Sequence, residues 1–141
     1  MDVRGYVGAN AAGFFAALKD WLAIPSISAD PAHHADVERS ADWLAAHLRL
    51  AGFPIVEIWP AGQAGAPGLP AVYAEWPAAE RRAAERPAAE RPAAEPAPAV
   101  LVYGHHDVQP VQPLDEWEFD PFTPVERGQR LLGRGASDDG S

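Results

Sequence analysis

The stretch Val100-Leu101-Val102-Tyr103-Gly104-His105-His106-Asp107-Val108-Gln109-Pro110 decides how this chain is read. A short apolar run, placed as a strand over Ala99–Tyr103, delivers histidine and aspartate at its tip, and Pro110 closes it. Side chains two apart on a strand share a side, so His105 and Asp107 should project together and His106 away from them. Their expected place is the carboxyl edge of the sheet, where α/β folds bind ligands. A histidine that ligates a metal through one ring nitrogen needs an acceptor on the other, to fix its tautomer and raise its basicity. Asp107 is the candidate for that role on His105. A His-x-Asp pair standing alone is more often a hydrogen-bonded structural pair than a metal site.

Further along comes Gly133-Arg134-Gly135-Ala136-Ser137-Asp138-Asp139, in which the glycines allow a tight turn before an acidic pair. A carboxylate at Asp138 could bridge two cations through its two oxygens. The plain alternative is that Asp138-Asp139-Gly140 is a polar turn. An apolar strand with His and Asp at its tip, followed by a Gly-rich turn with a second Asp, is one way a hydrolase gathers a metal site from distant segments.

Composition narrows the chemistry. The 141 residues carry 20 acidic and 11 basic side chains, a net charge of -9, and no cysteine. Counterion release on nucleic acid or an anionic membrane needs clustered Lys and Arg, and the arginines here are interleaved with glutamates, so no nucleic-acid or membrane partner is expected. Without cysteine there are no disulfides, no thiolate metal sites and no cysteine nucleophile. Imidazole and carboxylate remain as the strong metal ligands. The N-terminus lacks a basic segment followed by an apolar one, and no stretch approaches the roughly 18 apolar residues of a membrane span. A cytoplasmic location is the default expectation.

Upstream, Phe14, Phe15, Leu18, Trp21 and Leu22 recur at helical spacing from about Ala11 to Ala23, and Ile24-Pro25 ends that helix. Ser26 to Pro31 reads as a loop. A second helix is expected from about His34 to Leu50, with Val37, Ala41, Leu44 and Leu48 on one face and Gly52 as its left-handed stop. His33 and His34 sit at its start and read as capping or solvent-exposed residues, and His47 as a helix-face residue. Short strands follow over Phe53–Trp59 and Leu69–Trp76. Helices followed by strands point to an α/β layer architecture.

From Pro77 to Pro96 the sequence repeats as PAAER, RAAER, PAAER, PAAEP. Recurrent proline prevents a continuous helix, and nothing apolar larger than alanine is offered to a core, so 77–98 reads as a solvated low-complexity insertion. Beyond the His motif, Leu114 to Phe122 reads as a surface loop anchored by buried Trp117 and Phe122. Thr123–Arg127 and Arg130–Leu132 read as a hairpin around Gly128-Gln129.

Taken in order, GHHDVQP, DEWEFDPF and LLGRGASDD resemble the first half of the catalytic domain of M20-type metallopeptidases, in the branch that holds the carnosine dipeptidases and their bacterial relatives. WLAIPSIS, the following amphipathic helix and AGF resemble that family's opening. The resemblance covers roughly residues 14 to 76 and 99 to 139 and implies an incomplete three-layer α/β/α domain with a central mixed sheet. Residues 1–141 would be the N-terminal part of that catalytic domain. It also implies a two-zinc site, with manganese or cobalt as alternatives for the same donors. His105 would ligate one metal, Asp107 would orient it, and Asp138 would bridge both. The adjacent glutamates that supply the family's general base and a further ligand are not matched here, and the family's Asp-Asp-Lys-Gly is replaced by Asp138-Asp139-Gly140-Ser141.

The leading expectation is therefore the N-terminal part of a metal-dependent dipeptidase or related amidohydrolase, acting on small peptides through a metal-activated water and inactive as the isolated chain. An incomplete domain should leave a sheet edge and apolar helix faces uncovered. A non-catalytic remnant or partner-binding module of the same fold is the alternative, and a third reading makes the PAAER repeat a partner-binding linker. A homodimer is compatible with the family, and nothing in this sequence supports one.

Overall fold

The computed structural model describes residues 2–63, 66–77, 99–128 and 130–137. The repeat at 78–98 and the acidic pair Asp138 and Asp139 lie outside the described residues. The architecture is mixed α/β.

Helix α1 spans Val3–Leu22. It begins before the apolar periodicity does, because the Asp2 side chain accepts a hydrogen bond from Gly5 N at 2.7 Å and so caps the first turn. Along the expected apolar face only Leu22 is buried, whereas Phe14 and Phe15 are about half exposed. The stripe is present in the sequence, but no described segment covers its first half.

Helix α2 spans His34–Leu50, as its spacing predicts. Asp30 prepares its entry by accepting from Ala32 N at 2.9 Å over the 3-10 turn Pro31–His33. Gly52 ends it with φ of 92°, a conformation that glycine reaches without a Cβ penalty, while Phe53 N bonds back to Leu48 O at 3.1 Å. Its buried face is Val37, Ser40, Ala41 and Ala45, so the expected Val37 and Ala41 are joined by a serine. His33 binds Asp36 through Nδ1 at 2.7 Å, and His47 stacks on Trp43 with ring centroids 3.6 Å apart.

Strands β1 (Ile55–Trp59) and β4 (Ala71–Glu75) pair antiparallel, with Ile55 opposite Glu75 and Trp59 opposite Ala71, and both pack on α2. The stacked Trp59 and Tyr73 rings, 4.5 Å apart, reinforce this ribbon. Between them β2 (Gly62–Gln63) and β3 (Ala66–Pro67) form a small antiparallel pair. The expected hairpin is β5 (Val125–Arg127) with β6 (Arg130–Leu132), turned through Gly128 at φ of 64°. In the loop before it, Trp117 and Phe122 are half-buried and the buried residue is Pro121, which corrects the expected anchors.

The largest correction concerns Ala99–Tyr103. It is not a strand: Val100, Leu101, Val102 and Tyr103 are 88 to 90% exposed and pair with no described segment. A strand is defined by neighbours that take up its N–H and C=O groups, and apolar sequence alone cannot supply them. The chain rejoins the core further on, where Val108 N bonds Ser26 O at 2.9 Å and Ile27 and Val108 form an isolated parallel bridge.

Candidate functional site

The His motif is held by the loop after α1 and by α2. Ser26, buried in that loop, donates its hydroxyl to His106 O at 3.2 Å, and Ser40, fully buried on α2, donates to the same carbonyl at 2.8 Å. Ser40 Oγ accepts from Trp21 Nε1 at 2.9 Å. Two serines and a tryptophan from three segments thus fix one peptide carbonyl in the middle of the motif.

This anchoring, and not strand geometry, directs the side chains. His105 and Asp107 do meet: His105 Nδ1 lies 3.1 Å from Asp107 Oδ1 and 3.0 Å from Asp107 O. Both partners are acceptors, so Nδ1 carries a proton. Asp107 Oδ2 accepts a short hydrogen bond from the Ser28 hydroxyl, so each carboxylate oxygen has its own donor. His106 points the other way, with Nε2 3.1 Å from Pro70 O and Nδ1 3.3 Å from Ser40 Oγ. The side chains of His105 and Asp107 are about one-third exposed, at the edge of a groove floored by Val37, Leu44, Pro70 and Tyr73.

The Gly-rich turn is brought to the same place. Gly135 has φ of 84°, and a Cβ there would stand 2.9 Å from Val108 Cγ1 and 3.3 Å from Leu22 Cδ2. Arg134 locks the turn by donating from Nη2 to Pro110 O at 2.9 Å while its guanidinium lies over the Trp117 ring. Arg134 and Gly135 therefore pack directly against Val108 and Pro110, just after His105 and Asp107, while Gly133 lies against Pro121 and Pro124. Asp138, expected as the bridging carboxylate, lies outside the described residues.

Among the described residues no group of three or more His, Asp and Glu is gathered closely enough to hold a metal ion. The donor set present fits a single coordination position, one imidazole with its orienting carboxylate, and a complete metal site needs more. Ser26, Ser28 and Ser40 are the participants that sequence reasoning missed. Ser26 and Ser28 stand in the expected loop Ser26–Pro31, and Ser40 lies at a helical position with no signal other than its place on the apolar face.

Residues 101–141, which contain both motifs, match the model of Peptidase family M20/M25/M40. Over 128 residues, 89% of this chain, the sequence is 33% identical to the Cys-Gly metallodipeptidase DUG1 of Candida albicans. The structure superposes with a TM-score of 0.71 on the di-peptidase Dug1p of Saccharomyces cerevisiae, at 25% identity over 95% of this chain. The chain is similar to the M20-type peptidases. A shorter but closer match, 55% identical over 42 residues, is to a succinyl-diaminopimelate desuccinylase of Nitrosospira multiformis, and covers 30% of this chain. The chain spans 25% of the Candida dipeptidase, 26% of the Saccharomyces chain and 11% of the desuccinylase. Both the α/β expectation and the dipeptidase-branch resemblance hold. No helix among the described residues is long and apolar enough to cross a membrane.

Proposed function

We propose that this chain is the N-terminal part of the catalytic domain of a metal-dependent dipeptidase or related amidohydrolase that hydrolyses the amide bonds of small peptides, with 77–98 as an insertion in that domain. The observation that carries the reading is the His105 Nδ1 to Asp107 Oδ1 contact of 3.1 Å, inside a segment that matches the M20 family. In this reading His105 would be a ligand through its ring, Asp107 accepts the hydrogen bond from Nδ1–H and so holds the ring, and Asp138 would be the second, carboxylate ligand. Zinc, or manganese or cobalt on the same donors, would supply Lewis acidity toward the scissile carbonyl and an activated water. A dipeptide substrate is favoured over an N-acyl amino acid because the match to the dipeptidase runs along most of the chain and the match to the desuccinylase is confined to 42 residues. Such a substrate is small and soluble, and a cytoplasmic location is part of the proposal.

The chain by itself should not hydrolyse peptides, since its 141 residues offer one motif imidazole and one bridging carboxylate to a two-metal site. A second reading, a non-catalytic module of the same fold, is favoured by the absence of a three-ligand cluster among the described residues. The test is zinc titration of the purified chain by calorimetry, with Cys-Gly and an N-succinyl amino acid assayed in parallel. Expected are a dissociation constant of about micromolar or weaker, loss of binding in His105→Ala, its retention in His106→Ala, and no turnover above an Asp138→Ala control. Zinc binding indifferent to His105→Ala would refute the site. Turnover above the control would refute the inactivity of the isolated chain.

A further inference from the structure

Asp107 is held from both sides. Oδ1 faces His105 Nδ1 at 3.1 Å, and Oδ2 accepts from the hydroxyl of Ser28, a half-buried residue of the loop after α1. A carboxylate about one-third exposed and bonded through only one oxygen is free to rotate and exchange its partner for water. A donor fixed to the other oxygen removes that freedom, because turning the group breaks both bonds together. The anchor is itself placed: on one side of Ser28, Ile27 is buried in its bridge to Val108, and beyond it Ser26 O accepts from Val108 N at 2.9 Å. Ser28 and Asp107 are thus carried by segments joined directly to one another.

We infer that Ser28 is a positioning residue: its hydroxyl orients Asp107 so that Oδ1 stays on His105 and the imidazole keeps its proton on Nδ1. Ser28 touches no reacting atom in this scheme. Its consequence for coordination rests on the ligand role proposed for His105, whereas the tautomer itself does not, so the two can fail separately.

The experiment is nitrogen-15 NMR of the histidine rings in the metal-free chain at a pH of about 8.5, where an ordinary imidazole is neutral. His105 is assigned by its loss in His105→Gln, and the Trp21 indole N–H signal reports an intact core. The wild-type chain should favour the Nδ1–H tautomer of His105 by about tenfold or more, as a hydrogen bond to a carboxylate predicts. Ser28→Ala should reduce that preference to about threefold or less with the Trp21 signal unchanged, and Ser28→Thr, which keeps the hydroxyl, should restore it. An unchanged preference in Ser28→Ala overturns the inference, as does a wild-type chain without the Nδ1–H preference. Loss of the Trp21 signal in Ser28→Ala also overturns it, since the role would then be global and not local. If the tautomer result holds while zinc binding ignores His105→Ala, the proposed function fails and the assignment of Ser28 stands.

Discussion

Trp21 Nε1 and Ser40 Oγ lie 2.9 Å apart, and this single bond ties α1 to the fully buried serine of α2 that holds the His motif by its backbone. The Trp21 ring also stacks on Trp43 of α2, with centroids 5.2 Å apart and planes 6° from parallel. Aromatic packing brings the helices together, and the indole N–H donates to Ser40 Oγ while the Ser40 hydroxyl hydrogen is donated to His106 O.

Trp21→Phe keeps much of the stacking and removes the donor. It should cost about 1 kcal/mol, the net worth of one hydrogen bond, measured by urea unfolding. Ser40→Ala should cost more, about 2 kcal/mol, because it removes the partner of the part-buried indole N–H and a donor to His106 O. The double variant should cost less than the sum of the two single changes, since the shared bond is lost once. Strict additivity would show that the bond contributes nothing.

Gly135→Ala should destabilise strongly, and Gly128→Ala only mildly. Both glycines have positive φ, but a Cβ at Gly135 would meet Val108 at 2.9 Å, and at Gly128 it would meet nothing within 4 Å. The backbone penalty common to both is about 1 kcal/mol, and steric strain at Gly135 adds about 1–3 kcal/mol. Thermal unfolding of the two variants side by side checks this, and equal shifts would contradict the packing of the Gly-rich turn on the His segment.

Val37→Ala should lower stability by about 2 kcal/mol through lost burial and the cavity left behind. Val37 is 1% exposed, on the α2 face that lies beneath β1 and β4. Guanidinium unfolding followed by circular dichroism gives the number, and a cost near zero would mean that this face is not packed.

Lys19→Met should change stability little. The Lys19 to Glu126 ion pair is 2.6 Å long and joins α1 to β5, but its side chains are 38% and 56% exposed. Exposed pairs contribute about 0–1 kcal/mol, and salt screens them. The melting temperature of wild type and variant should converge as salt is raised, and a persistent gap would locate the contribution in packing of the lysine stem.

Much of the local structure was legible in the sequence. Helix α2 could be bounded because apolar spacing and a stop at Gly52 agree. The hairpin β5–β6 followed from two short apolar runs around a glycine. The first turns of α1 were not legible, because they rest on the Asp2 cap and not on apolar periodicity. The serines at 26, 28 and 40 were not legible either: a hydroxyl has no pattern that announces its partner, and these partners lie 66 to 80 residues away.

The sequence by itself determined the chemistry on offer: no thiol, a net negative charge, and the ordered His, Asp and Gly-rich motifs that mark the M20 resemblance. These are properties of residue type and order, which folding does not change. Only the tertiary structure decided that His105 and Asp107 meet without a strand beneath them, that His106 turns to Pro70 and Ser40, and that Val100–Tyr103 lies uncovered. Side-chain direction depends on where the backbone groups find their hydrogen-bond partners. Here those partners are the backbone of Ser26 and two serine hydroxyls distant in the chain, whose proximity no local pattern records.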